Sequence, residues 1–281
     1  MISDDIKPDL VLLHGFVQNK RLFDRQIAHF GDRYRVHALD LRGHGRNQNE
    51  PGPYGNEEYT DDIQAYFDTQ GLRNAIVWGT HTGTGVAINL YLRQPDYIGR
   101  MILEGLVIPG CPTPEIDANI QRTKNVARAQ GLEAAHTDWI EASGWYRYLN
   151  AHPEKARKAE QLAIIRDFAG RPWLNELPPQ KPRDMRGELG RITCPCLAYN
   201  GEHDMTSFLS MSEAFAKATG SRREIVPESG GFPAVGESGI RQSSRGGLAG
   251  AALVRFYQEI CATCPAGGLP VSKNLACPAA P

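Results

Sequence analysis

At 281 residues, 41% hydrophobic and 22% charged, the chain has the make-up of an ordinary soluble globular protein with ample length for a buried core. A formal net charge of −1 supplies no global field for nucleic acid or an anionic membrane, and no run is long and apolar enough to span a bilayer. The N-terminal stretch Met1-Ile-Ser-Asp-Asp-Ile-Lys-Pro lacks a charged region followed by an apolar one, so a cytoplasmic location is expected. Six cysteines are too unevenly spread for a disulfide framework. Cys261-x-x-Cys264 has no second pair at ligand spacing, so neither metal nor cofactor is expected. The expected partner is a small-molecule substrate, with a homodimer as the one protein assembly left open.

Asp9 to Phe16 is a continuous apolar run closed by His14-Gly15, the pattern of a strand buried on both faces of a parallel sheet. Lys20 to Gly31 is helix-compatible. Arg35 to Leu41 reads as the next strand and ends in the turn-forming run Arg42-Gly43-His44-Gly45. Over Asn56 to Gln70, Tyr59, Ile63, Tyr66 and Phe67 recur at helical spacing, and Gly71 stops the helix. The strand Asn74 to Trp78 then runs into Gly79-Thr80-His81-Thr82-Gly83, a helix from Thr82 to Arg93 follows, and Arg100 to Val107 is another strand. Such alternation predicts an α/β fold with a mostly parallel central sheet flanked by helices.

Prolines and glycine at Ile108-Pro109-Gly110-Cys111-Pro112-Thr113-Pro114 break the alternation, and Glu115 to about Ala169 reads as helical. Residues 111–187 are therefore expected to form an inserted helical cap, with 1–110 and 188–260 as the core domain. Trp139, Trp145, Tyr146 and Tyr148 give the cap an aromatic character that serves either packing between helices or the lining of a substrate pocket. Arg191 to Gly201 is the next strand, with Glu202-His203-Asp204 in the turn beyond it. Ser212 to Thr219 reads as helix, Arg222 to Pro227 as a last strand, and Leu248 to Ile260 as a closing amphipathic helix. The Pro-, Ala- and Gly-rich tail 261–281 is expected to be irregular.

The spacing G-x-H-x-G around His81 is that of a nucleophile elbow, in which small neighbours let a strained turn thrust one side chain out at the top of a sheet. Together with His14-Gly15-Phe16, Asp40-x-Arg42-Gly43-x-Gly45 and Gly201-x-x-Asp204, in this order, it makes the chain from Asp9 to Ile260 resemble the α/β-hydrolase fold family. The resemblance implies an oxyanion hole built from the backbone N–H groups of Phe16 and Thr82. It also implies a triad acid at Asp204, with Glu104 as a second candidate. Two triad positions depart from the family. His81 stands where serine belongs, and in Pro227-Glu-Ser-Gly230-Gly231-Phe232-Pro233 glycine stands where the family histidine belongs. No histidine follows His203. His14 also comes too early to leave room for the antiparallel strand pair that commonly precedes that motif.

Three functions fit these residues. In the first, His81 acts as general base or nucleophile, oriented by Asp204 or Glu104, with His203 as a supplementary base, and hydrolyses an ester, lactone or carbon–carbon bond. In the second, the same base and oxyanion hole serve a lyase, cyclase, isomerase or cofactor-free oxygenase. The third is a ligand-binding protein that has lost its chemistry. His14, Trp139, Trp145 and Phe232 are the candidate substrate contacts, and the aromatic cap implies a mostly apolar or ring-bearing ligand.

Overall fold

The computed structural model describes residues 7–233. Strands β1 (Asp9–Leu13), β2 (Arg35–Leu39), β3 (Ala75–Thr80), β4 (Ile98–Glu104), β5 (Cys196–Gly201) and β6 (Arg222–Val226) form one sheet in the order β2-β1-β3-β4-β5-β6. Every neighbouring pair is parallel. β3 and β5 are buried along their whole length and β1 from Leu10 onward, whereas the edge strands β2 and β6 are only partly covered. That is why the central strands read as unbroken apolar runs. Helices α1 (Asp24–Phe30), α2 (Asn56–Gln70) and α3 (Thr82–Arg93) connect the first four strands. Between β4 and β5 the chain passes through α4 (Pro114–Gln130), α5 (Leu132–Glu141), α6 (Arg147–Ala151), α7 (Lys158–Arg166) and α8 (Arg171–Leu174). Helix α9 (Thr206–Thr219) then links β5 to β6.

The chain runs outward from β1 to β2, then returns to place β3 on the other side of β1. The loops leaving β1 and β3 therefore diverge, and a crevice opens at their carboxyl ends. This reversal puts the His14-Gly15-Phe16 loop beside the elbow that follows β3.

Several boundaries differ from the sequence pattern. β1 stops at Leu13 because Val17 takes φ 62° and the Gln18 N–H donates to the Gly15 carbonyl, a turn that an apolar run does not announce. β4 stops at Glu104 because Gly105 takes φ 59°. Pro195 delays β5 to Cys196, and residues 186–191 wind into a 3-10 turn instead. α9 begins at Thr206 rather than Ser212. β1 opens the sheet, with no antiparallel pair before it among the described residues. The closing helix, the tail and Cys261-x-x-Cys264 lie outside the described residues. Among the described residues, no helix is long and apolar enough to cross a membrane.

Close approach explains the two elbow glycines. A β-carbon on Gly79 would sit 2.6 Å from the Gly83 carbonyl, and one on Gly83 would run into the carbonyl of Leu13 in β1. Both clashes are with backbone, which cannot swing away. Gly83→Ala is expected to cost roughly 3 kcal/mol or more. Gly187→Ala, with nothing within 4 Å of the added carbon, should be neutral or slightly stabilising. Urea midpoints of the two variants measure the contrast.

Candidate active site

His81 joins β3 to α3 at φ 45° and ψ −110°, a conformation an L-residue holds only under constraint. The constraint is visible on both sides. Its N–H donates to the Glu104 carbonyl at 2.8 Å, and its own carbonyl accepts the Thr84 N–H at 2.9 Å and the Thr84 hydroxyl at 2.6 Å. Its ring is 6% exposed, edge-on to Phe208 at 4.7 Å and tilted against Phe232 at 4.6 Å. Nε2 lies over Gly105, where a β-carbon would come within 2.5 Å of it. Neither ring nitrogen has a hydrogen-bond partner among the described residues. Burial alone holds the imidazole down at about 3, so the ring is neutral around pH 7.

The loop after β1 is clamped by two buried histidines. His14 Nε2 accepts the Leu41 N–H at 3.0 Å and His44 Nε2 accepts the Val17 N–H at 3.3 Å, which leaves the hydrogen of each ring on Nδ1, facing the carbonyls of Gly15 and Arg42. Burial lowers both imidazoles, His44 to about 3, so both stay neutral and the donor pattern stays fixed. The Gly15 N–H is taken by Gln18 Oε1 at 3.1 Å. The N–H groups of Phe16 and Thr82 have no acceptor among the described residues, and a β-carbon on Gly15 would lie 3.3 Å from the His81 β-carbon. Both residues lie at the elbow, Thr82 directly after His81 and Phe16 directly after Gly15. His14 itself is a correction: fully buried with both nitrogens committed to backbone, it shapes this loop and does not contact the cavity.

Asp204 follows β5 and is 9% exposed. Burial raises its carboxyl to about 6, partly offset by Asn200 Nδ2 at 2.9 Å and the Met205 N–H at 2.8 Å. No hydrogen bond joins it to His81. The two face each other across Gly231, whose β-carbon position is 3.2 Å from Asp204 Oδ1 and 3.6 Å from His81 Nε2. Aromatic packing, not a carboxylate, orients the imidazole. Glu104 is the second correction. In register with Thr80 and Tyr199, it sends its carboxylate away from the cavity, where the Tyr199 hydroxyl donates to it and the Trp78 indole N–H donates to that hydroxyl at 3.1 Å. Its carbonyl serves the elbow by accepting the His81 N–H. His203 is the third: half-exposed, stacked on Tyr148 at 5.0 Å and outside the cavity.

A cavity of about 300 Å³ opens above His81, between the sheet edge and the inserted helices. Phe16 and Thr82 line it, as do Trp139, Trp145 and Phe232. Trp145 packs against Trp139 at 4.8 Å and Phe208 at 5.8 Å, so the aromatic stretch both packs and lines. The sequence pattern missed Phe208, Gly105 and Lys124. Phe208 was legible as the start of a helical apolar series with Met211 and Phe215.

A family model described as the α/β hydrolase fold matches residues 8–237. A 2-(acetamidomethylene)succinate hydrolase of Mesorhizobium japonicum is 27% identical over 224 residues, 78% of each chain. A 2-heptyl-3-hydroxy-4-quinolone dioxygenase of Rhodococcus erythropolis is 37% identical over 112 residues, 38% of this chain and 40% of the relative. An enol-lactonase structure from Burkholderia xenovorans superposes with a TM-score of 0.69 at 22% identity, covering 90% of this chain and 92% of that one. The chain belongs to the α/β-hydrolase fold family.

Proposed function

We propose that this enzyme hydrolyses a small, mostly apolar ester or lactone, or an activated carbon–carbon bond, with His81 in the place of serine. One observation carries the reading. A strained elbow holds a neutral imidazole with two unpartnered nitrogens between two free N–H donors, facing a buried carboxylate. With Nε2 turned toward Asp204, Nδ1 is the proton acceptor. A water gives its proton to Nδ1 as its oxygen bonds to the substrate carbonyl carbon, and the oxyanion is held by the Phe16 and Thr82 N–H groups. Collapse breaks the bond to the leaving alkoxide, which takes the proton back from Nδ1. Burial disfavours the imidazolium in between, and the anionic Asp204 across Gly231 offsets that cost.

The pH profile tests this. Asp204 is raised, so its carboxylate is lost as pH falls through about 6, whereas His81, held at about 3, contributes no limb between there and neutrality. kcat/KM on aryl esters and lactones should therefore rise through about pH 6 and level off. Asp204→Asn should remove that limb and cost roughly a hundredfold in rate. A limb that survives in Asp204→Asn refutes the assignment.

A second reading is non-hydrolytic: oxygen-dependent cleavage of a ring-bearing substrate without a cofactor. The local identity to a quinolone dioxygenase favours it, as does an imidazole base in an aromatic cavity. Substrate-dependent oxygen uptake by the purified protein would select it over hydrolysis.

A further inference from the structure

Helix α4 lays Ile116, Ile120 and Lys124 along the cavity at i, i+4 and i+8, one face of the helix. Two of these positions are what an apolar cavity calls for. The third is an ammonium. No described residue makes a hydrogen bond or ion pair with Lys124, and none of the described residues lining the cavity is acidic. Half-buried among aromatic and aliphatic side chains, the ammonium is held below its ordinary range by burial first and the charge of Arg128 second. A half-desolvated cation without a counter-charge favours a ligand that brings one. Tyr59 lines the same cavity, and its hydroxyl is buried, lacks a partner and is kept protonated by that burial.

The position of Lys124 is also defined. The first turn of α4 is tied to the start of α9 by the Ser207 hydroxyl donating to Glu115 at 3.2 Å, next to Phe208, which touches the His81 ring. Lys124 lies about 14 Å further along the axis from Glu115, toward α8, which packs on this end of α4, where Arg128 donates to the Asn175 carbonyl, and which contributes Pro172 to the cavity.

We infer that the substrate is a monoanion: an apolar or ring-bearing body that spans the cavity, with the reacting carbonyl at His81 and a carboxylate, or a comparable singly charged acid, paired with Lys124. The ligand supplies the counter-charge that the protein withholds. A charge-assisted bond at a partly desolvated site is strong enough to set substrate choice. This deepens the hydrolytic reading, resting on its assignment of the cavity as the substrate site.

The test is a calorimetric titration at pH 8 of phenylalkanoates of graded chain length, each against its neutral primary amide. In the wild type, at least one acid should bind about tenfold or more tighter than its amide. Lys124→Met, which keeps the aliphatic stem, should abolish that preference by weakening the acids far more than the amides, and Lys124→Arg should restore it. Amides that bind the wild type as well as the acids, acids that do not bind, or a preference that persists in Lys124→Met would each overturn the inference. Neither acids nor amides of this kind carry an ester or lactone, so the titration is blind to whether His81 performs hydrolysis. Failure of the hydrolytic reading would show in the pH profile and leave this result standing.

Discussion

His81→Ala is expected to abolish turnover of aryl esters and lactones, a loss of at least about a thousandfold in kcat/KM, while the protein keeps its fold. Stability and activity separate here for a specific reason. Truncating a buried ring forfeits packing against Phe208 and Phe232, worth about 2–4 kcal/mol. But the same ring buries two unpartnered nitrogens, each carrying a desolvation cost of about 1–3 kcal/mol. The two effects oppose, and the variant should unfold within about 1–2 kcal/mol of the wild type. His81→Leu sharpens the contrast by filling similar space with no polar atom. It should be at least as stable as the wild type and equally inactive. A natural residue that is costly to the fold and indispensable to the reaction is what a functional group at a strained position predicts. Urea midpoints of the three proteins, measured beside ester turnover, decide it. A structural histidine would show the reverse: Ala and Leu variants that lose stability and keep whatever activity the wild type has.

The sheet was legible because its central strands are buried on both faces. Leu10 to Leu13 and Ala75 to Trp78 could not be read as anything half-exposed. Strand ends were not legible, because an apolar residue in a turn looks like one in a strand: Phe16 extends the run of β1 but lines the cavity. Phe16, Thr82, Trp139, Trp145 and Phe232 line the cavity with His81, and Asp204 stands off from the ring across Gly231. His14, Glu104 and His203 do not line it, each for a physical reason invisible along a chain. His14 spends both nitrogens on backbone, Glu104 gives its carboxylate to the Tyr199 hydroxyl, and His203 leans outward onto Tyr148. Gly105 had no meaning until the His81 ring was seen to occupy its side-chain space. Lys124 did carry a signal, the four-residue repeat from Ile116 through Ile120. A lysine in such a series normally marks its solvated border.

The pairing of His81 with Gly231 makes a stronger prediction, that two substitutions restore what either alone destroys. A β-carbon at Gly231 would lie an ordinary 3.5 Å from the Trp145 carbonyl but a tight 3.2 Å from Asp204 Oδ1, so a side chain there requires a small shift of that carboxylate. An imidazole on that carbon would run into the His81 ring, whose Nε2 is 3.6 Å away. Gly231→His by itself should therefore be destabilised and inactive. His81→Ser by itself should fold but place a hydroxyl at the elbow with no base to take its proton. In His81→Ser/Gly231→His the introduced imidazole falls between the introduced hydroxyl and Asp204, and the hydroxyl sits between the free N–H groups of Phe16 and Thr82. A fluorophosphonate probe should leave the wild type and both single variants unlabelled and label the double variant at position 81. Ester turnover in the double variant should exceed that of His81→Ser by about a hundredfold or more. The discriminating quantity is the coupling between the two sites, because residues that share one space and one proton cannot contribute independently. If Gly231→His alone folds and works as well as the wild type, the His81 ring does not occupy the space of the missing imidazole, and the site is not rebuilt around it.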